Sequence, residues 1–271
     1  MDKRILWPVL VALAVGLAAI AYLRSTPESP EPVVIPPPRT IVTPDPAFVP
    51  PEPEPEPAFV GQAPPEPLPP LPALDDSDET AREALAAAAG APLVERWIVP
   101  DAIIRKLVAT VDNLPHEALW MKSRVVPAVE GRLQVTGPED ALRLAEGNFA
   151  RYAPLVRLVA AVDAGALAAA YHHHYPLLQQ AYEELGYPGR QFHYRAIEVI
   201  DHLLATPEVQ GPILLVQPHV LYRYADPKLE ALSSGQKILL RIGPDHGAVV
   251  RTKLIELRAA LAALAAATLD D

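Results

Sequence analysis

The residues whose types could do chemistry are grouped most closely between positions 193 and 202. Glu198 and His202 are four residues apart, and Asp201 is three from Glu198, so all three lie near one face if this stretch is helical. Two carboxylates and an imidazole in this arrangement can form an acid–base pair or supply metal ligands, and His193 lies one further turn back. The catalytic candidates are therefore Glu198, Asp201 and His202, and the metal-ligand candidates are His193, Glu198 and His202.

The sequence offers no further ligands or catalytic residues at a known spacing that would complete such a site. Neither H-E-x-x-H nor another known zinc spacing accompanies these residues. A helix surface with an ordinary ion pair, or a buried histidine hydrogen-bonded to its surroundings, is the competing interpretation. No cofactor is expected, because phosphate loops, dinucleotide fingerprints and G-x-S-x-G elbows are absent from the sequence.

Two further motifs are weaker. His172, His173 and His174 are adjacent, and consecutive residues on a helix point about 100° apart, so three such imidazoles cannot converge on one ion. Ser234 and Lys237 match the S-x-x-K pattern of penicillin-binding enzymes, but the supporting S-D-N and K-T-G motifs are absent. A polar patch beside a proline and an ordinary helix cap explain these two motifs.

The elements that would position these residues are mostly helices. Hydrophobic periodicity predicts an amphipathic helix over residues 191–204, which carries all the candidates named first. The fold class is mainly α with few short strands. Further helices are expected over residues 78–89, capped by Asp76 or Ser77, over 101–112, in short pieces at 148–152 and 154–162, over 163–185 with a kink at Pro176, and in a hairpin over 226–264. Residues 132–135 and 212–217 are strand candidates, the latter alternatively a buried connector.

Five aliphatic residues near the C-terminus recur at the 4-3-4-3 spacing of a coiled-coil seam. They are Val250, Leu254, Leu257, Leu261 and Leu264. The seam lasts little over two heptads, so packing against the domain's own core is the main interpretation. Self-association through the same residues is the alternative.

A hydrophobic run at residues 5–23 predicts where the chain resides. Nineteen residues without a charge span about 28 Å as a helix, close to the thickness of a bilayer's hydrocarbon core. Lys3 and Arg4 precede the run and only Arg24 follows it, which favours a cytoplasmic N-terminus. We expect a single-pass anchor at residues 1–24. A signal peptide cleaved after Ala21 and a soluble protein with a buried N-terminal helix are the alternatives.

Residues 25–73 have the composition of a linker. Nineteen of these 49 residues are proline, and Glu52, Glu54 and Glu56 alternate with prolines. Such a segment has too few donors and too little apolar mass to build a core, so an extended spacer is expected. A ligand for a proline-recognising partner is the alternative.

Composition excludes several classes of protein. The chain has no cysteine, which rules out disulfides, thiol catalysis and cysteine-based zinc sites. The net charge of −10 makes nucleic acid or an anionic membrane surface a poor partner for the folded part.

Several stretches together resemble an uncharacterised bacterial family, domain of unknown function 3014. The longest is residues 199–207 (VIDHLLATP), and the others are 74–78 (LDDSD), 111–115 (VDNLP), 175–179 (YPLLQ), 184–188 (ELGYP), 216–218 (VQP), 224–227 (YADP) and 232–237 (LSSGQK). The resemblance covers residues 74–264 and implies a single-pass protein with a proline-rich linker and one exported domain. It implies no activity. The three histidines at 172–174 replace the mixed basic and aromatic residues that the family pattern leads us to expect.

Together these observations predict an anchor at residues 1–24, a disordered linker at 25–73 and a helical periplasmic domain at 74–271. The expected protein sits in the bacterial inner membrane, is not an enzyme, and binds an envelope protein or a cell-wall component. The alternative is a periplasmic hydrolase, with or without a metal, that uses Glu198, Asp201 and His202.

Overall fold

The computed structural model of the protein describes residues 69–117, 124–126, 129 and 131–266. Within these residues the chain forms a mainly helical domain with four very short strands. Its α-helices are α1 (Asp78–Ala89), α2 (Ala91–Trp97), α3 (Ile103–Asn113), α4 (Gly147–Ala161), α5 (Ala164–Glu184), α6 (Phe192–Leu204), α7 (Pro227–Glu230), α8 (Ser234–Arg241) and α9 (Pro244–Ala266). Its strands are β1 (Val135–Thr136), β2 (Arg143–Leu144), β3 (Leu215–Val216) and β4 (Arg223–Tyr224), and 3-10 turns occur at Leu74–Asp76 and Glu139–Ala141.

Helix α1 has the predicted ends but different capping contacts. Ser77 is its N-cap residue, yet the Ser77 hydroxyl donates to the Leu74 carbonyl at 2.7 Å and makes no cap hydrogen bond. The Asp78 carboxylate instead accepts hydrogen bonds from the backbone N–H groups of Ala102 (2.8 Å) and Ile103 (2.7 Å). A side chain of α1 therefore caps the start of α3, which carries no capping side chain of its own.

The prediction of two short helices at 148–152 and 154–162 is wrong, because α4 is one helix that contains Pro154. A proline removes one intrahelical hydrogen bond. Buried residues on both sides of it hold the helix in the core, among them Tyr152, Leu155 and Val159. Helix α5 begins after Asp163, whose side chain accepts from the Ala166 N–H, and it continues through Pro176. The predicted kink at Pro176 stays a prediction.

Helix α9 closes the main hydrophobic core. It packs against α4, α5 and α6, and α3 also packs against α5 and α6. Val250, Leu254, Leu257 and Leu261 are each 5% exposed or less, and Leu264 packs against the same core. The seam is therefore covered by helices of its own chain. Self-association through it would have to displace them.

The four strands form a small layer beside the helices. Strands β1 and β2 pair antiparallel, as do β3 and β4, and a single bridge between Arg143 and Leu214 joins the two pairs. One face of the layer is buried in a second hydrophobic cluster of Leu144, Leu215, Tyr224 and Leu240. The strand expected at 132–135 thus lies slightly later, and part of 212–217 is a strand.

The predicted anchor at residues 1–24, the linker up to residue 68 and the last five residues lie outside the described residues. Within the described residues, no single helix has the length and hydropathy to cross a bilayer. The pair α4 and α5, bent by 77°, passes that test only when the two helices are taken together.

Candidate functional site

Helix α6 carries every residue of the predicted constellation. Its extent differs from the predicted 191–204 by one residue, because Gln191 is the N-cap residue. Phe192, Val199, Ile200 and Leu203 form the face that packs against α3, α5 and α9. The polar candidates therefore lie on a helix that is fixed by the core, and their partners come from neighbouring elements.

Glu198 forms an ion pair with Arg195 of the same helix. Glu198 Oε2 lies 3.0 Å from Arg195 Nη1, and 61% of the glutamate side chain is exposed. Arg195 also donates from Nε to the Asp112 carboxylate at 2.8 Å and from Nη2 to the Asp112 carbonyl at 3.0 Å. Tyr187 donates to the other Asp112 oxygen at 3.1 Å. Glu198 is thus the exposed end of a charged network whose buried centre is Asp112.

Asp201 faces a different neighbour. Its two oxygens accept from Nε and Nη2 of Arg258 on α9, the second at 2.9 Å. Both side chains are 45% exposed. This bidentate pair joins α6 to α9 on the surface and engages both oxygens of the carboxylate.

His202 contacts a serine rather than a carboxylate. Its Nε2 lies 2.8 Å from the Ser233 hydroxyl. Burial lowers the pKa of His202, and the positive charge of Arg195 lowers it further, while Glu198 opposes the change. At neutral pH the imidazole is therefore neutral. In the tautomer that leaves Nε2 unprotonated, the Ser233 hydroxyl donates to it, as a nucleophile does to its general base.

The surroundings of Ser233 are those of a helix cap. Ser233 and Gln236 form a capping box at the start of α8, in which the Ser233 hydroxyl accepts from the Gln236 N–H at 3.2 Å. The preceding N–H groups of α8 donate to the His116 and Leu114 carbonyls at 2.8 and 2.9 Å. Every backbone donor that could stabilise an oxyanion at this helix end is already used.

His193 is fully buried and lies apart from the other candidates. Its ring centroid is 5.9 Å from that of Tyr171 and 5.6 Å from that of Tyr194. Burial among these rings lowers the pKa of His193 to about 4. Nothing in the described parts of the chain groups three or more histidine, aspartate or glutamate side chains in a way that could hold a metal ion.

The two weaker motifs are also built into the fold. His174 is 4% exposed, its Nδ1 lies 3.1 Å from the Ala170 carbonyl, and burial lowers its pKa to about 4. The Ser234 hydroxyl donates to the Leu114 carbonyl at 3.2 Å. Lys237 Nζ lies 3.4 Å from Glu230, so the serine and lysine of the S-x-x-K pattern have separate partners.

Sequence analysis missed the residues that organise this region, namely Asp112, Arg195 and Ser233. An aspartate at the end of an apolar helix face is a signal for a buried partner, because an isolated buried carboxylate is costly. The partner itself has no local signal, since Arg195 lies 83 residues away.

Four of the eight stretches that carry the family resemblance meet here. Residues 111–115 end α3, residues 199–207 end α6, and residues 232–237 begin α8. Backbone hydrogen bonds and the His202–Ser233 contact join the three, and Tyr224 of a fourth stretch donates to the Lys237 carbonyl at 3.2 Å. The resemblance therefore coincides with a structural junction of helix ends.

Comparison with known proteins gives one match. The family described as Protein of unknown function (DUF3014) matches residues 103–258, more than half of the chain. No curated protein and no solved structure matches. The matched range runs from the start of α3 into α9 and includes the junction just described. The chain belongs to the family Protein of unknown function (DUF3014).

Proposed function

We propose that this protein is a non-enzymatic binding protein of the bacterial inner membrane, with its helical domain in the periplasm holding an envelope protein. The observation that carries the proposal is the fate of the three catalytic candidates. Glu198, Asp201 and His202 are bound by Arg195, Arg258 and Ser233 respectively, so each of the three side chains has a different partner. These contacts tie the three side chains to the fold, which supports a role in binding rather than in catalysis.

The sequence features of the N-terminal part support the same proposal. An uncharged run at residues 5–23 would anchor the chain, and the proline-rich residues 25–73 would extend up to about 150 Å at 3.1 Å per residue. A tether of this reach is useful for a domain that must find a partner away from the membrane.

The test is crosslinking in intact cells with a tag after Asp271, followed by identification of the adduct. We expect one envelope protein in the adduct. When residues 25–73 are shortened by half, we expect the same protein in the adduct but an impaired function in the cell. A full chain that gives no specific protein adduct and tolerates the shortened linker contradicts the proposal.

One observation favours a second candidate, a periplasmic hydrolase. The 2.8 Å contact between Ser233 and His202 has the geometry of a nucleophile and its base. In this mechanism His202 would accept the hydroxyl proton as Ser233 attacks an acyl carbon, and would return it to the leaving group. Ser233 is 6% exposed, so the surrounding loop would have to open for substrate.

Two substitutions of the same residue separate a cap from a nucleophile. Ser233→Ala removes the cap and costs about 1 kcal/mol, whereas glycine at a cap costs only a few tenths. A cap predicts that the cellular phenotype follows stability, with Ser233→Gly near wild type and Ser233→Ala weaker. A nucleophile predicts that both variants lose function equally, together with His202→Ala. Circular dichroism melting curves supply the stability scale.

A further inference from the structure

The outer face of the strand layer exposes large aliphatic side chains. Leu214, which directly precedes β3, and Val216 of β3 lie on either side of the buried Leu215, so both point away from the core. Leu214 is 50% exposed and Val216 is 45% exposed. A short strand with an aliphatic outer face in a folded domain is a candidate interaction surface.

The loop between β3 and β4 continues this apolar surface. Val220 is 62% exposed and Leu221 is 38% exposed. Half of the large exposed hydrophobic side chains in the described residues thus fall within residues 214–221. The hairpin is held in place from below, because Leu215 and Tyr224 are buried in the second cluster.

Two arginines flank the aliphatic residues in register. Arg143 of β2 lies opposite Leu214, and Arg223 of β4 lies opposite Val216. Directly opposite residues share a face of a sheet, so both guanidinium groups border the patch. With strands about 4.8 Å apart and residues about 3.4 Å apart along a strand, the two Cα atoms are separated by about 12 Å.

The two arginines of this surface contrast with the net charge of −10 of the whole chain. Neither Arg143 nor Arg223 has an ion-pair or hydrogen-bond partner within the described part of the chain. No aspartate or glutamate occurs from residue 209 to residue 225, although Glu139 and Asp140 lie in the 3-10 turn that packs against β3. The patch therefore joins exposed aliphatic side chains with two arginines that form no ion pair within the described residues.

We propose that the hairpin patch, defined by Arg143, Leu214, Val216, Val220 and Arg223, binds a partner protein segment that carries aliphatic side chains between two carboxylates. This rests on the proposed binding function and names its surface. A carboxylate opposite each arginine restores charge complementarity, and aliphatic side chains cover Leu214 and Val216. A lipid surface fits less well, because two cations attract anionic lipid weakly and the rest of the domain is acidic.

The edge of the layer limits how the partner binds. The Tyr224 N–H already donates to the Glu230 carboxylate at 3.0 Å. A partner strand therefore cannot use this donor to extend the sheet. The side chains of the face, rather than the edge, make the contact.

The experiment is site-specific photocrosslinking of the full chain in its native cells. p-Benzoylphenylalanine replaces Val216 in one sample and Ile255 in a control sample. Ile255 is 55% exposed on α9. We expect a protein adduct at position 216 that is absent at position 255, with the crosslinked partner peptide containing aliphatic residues and carboxylates.

A charge reversal then tests complementarity. Arg223→Glu should lower the yield of the adduct at position 216 by at least about fivefold, because it places like charges together. Arg157→Glu is the matched control, since Arg157 is exposed on α4 and the change in net charge is identical. Its adduct yield should stay at the wild-type level.

The remaining outcomes overturn the proposed surface in distinguishable ways. An adduct to lipid at position 216 assigns the patch to the membrane, and an adduct to residues 1–68 assigns it to the chain's own N-terminal part. A partner captured at position 255 alone, or equally in Arg223→Glu and Arg157→Glu, places binding elsewhere and leaves the proposed function standing. No specific protein adduct at either position contradicts both proposals.

Discussion

At the scale of single residues, the charged network around Asp112 shows how burial changes the value of an ion pair. Asp112 is 4% exposed and accepts from both Arg195 and Tyr187, whereas Glu198 binds the same arginine from the solvent side. The inner carboxylate neutralises an arginine whose side chain is 15% exposed. The outer carboxylate competes with water for the same guanidinium.

Removing the two carboxylates should therefore have unequal effects. Asp112→Ala leaves Arg195 buried without its main counter-charge and should lower the free energy of unfolding by about 3–5 kcal/mol. Glu198→Ala should lower it by less than about 1 kcal/mol, because exposed pairs contribute little. Urea denaturation followed by circular dichroism measures both. An equal loss of unfolding free energy in the two variants would show that the buried carboxylate contributes no more than the exposed one.

The buried histidines predict a loss of stability in acid. Burial lowers the pKa of His174 and of His193 to about 4, from 6.5 in an unfolded chain. Between these values the unfolded chain binds more protons than the folded protein, so stability is complete above about pH 6.5 and falls as the pH approaches 4. At pH 5.5 each histidine should account for about 1 kcal/mol of lost stability relative to pH 7.5.

The measurement is the urea midpoint as a function of pH for wild type, His193→Phe and His219→Gln. The phenylalanine variant, which suits the aromatic surroundings of position 193, should show a shallower acid decline. His219 is exposed, so its variant should follow wild type. An unchanged pH profile in His193→Phe would mean that this imidazole does not resist protonation in the fold.

At the scale of elements, the start of α8 depends on a close approach that only glycine permits. A Cβ atom on Gly235 would lie 2.6 Å from a Leu203 methyl carbon and 3.0 Å from the Leu114 carbonyl oxygen. That carbonyl also accepts the Gly235 N–H at 2.9 Å. The ends of α3 and α6 therefore meet the first turn of α8 without room for a methyl group.

Two glycine-to-alanine substitutions test this point. Gly235→Ala should destabilise the protein by about 1–3 kcal/mol through overpacking of the junction. Gly247→Ala is the control, because its nearest atom, the Leu239 carbonyl oxygen, would lie at an ordinary 3.6 Å. Alanine within α9 should stabilise the helix by about 0.5–1 kcal/mol. An equal fall in the melting temperature of the two variants would contradict the close-approach argument.

At the scale of the whole molecule, α9 is the element that joins the others. It packs against α4, α5 and α6, and it also contacts α8. Arg251 of this helix donates to the Thr206 carbonyl at 2.9 Å, and Arg258 binds Asp201. Helix α9 therefore joins α4, α5, α6 and α8 within the matched family region.

Substitutions on opposite faces of α9 should separate core from surface. Leu257 is 0% exposed, so Leu257→Ala should cost about 2–5 kcal/mol by leaving a cavity. Ile255→Ala, on the exposed face, should change stability by less than about 1 kcal/mol. Denaturation at two protein concentrations provides the check. Leu257→Ala should lose the same free energy at both, whereas a seam between two copies would make the loss depend on concentration.

Sequence patterns predicted helices well where apolar residues form one continuous face of the helix. The ends of α1, α3 and α6 lie within about two residues of their predicted positions, and the apolar face of α3 is buried as expected. Pro154 misled the prediction for α4, because a local rule about proline was overridden by core packing on both sides of it. The strands were predicted only approximately, because each strand has two residues and is too short to show an alternating pattern of polar and apolar residues.

The sequence by itself determined the mainly helical class, the location of the polar constellation on one helix and the membership in the family. The first two properties depend on neighbours within about one or two helical turns, whereas the family membership depends on short stretches spread over residues 103–258. Only the tertiary structure decided which partners the polar residues have, because Asp78 caps a helix 25 residues away, His202 contacts Ser233 across 31, and Asp201 binds Arg258 across 57. Contacts at such separations depend on how whole helices pack, and no local pattern encodes them. That packing gave Glu198, Asp201 and His202 three different partners, and it placed two arginines and a row of aliphatic side chains on one exposed face.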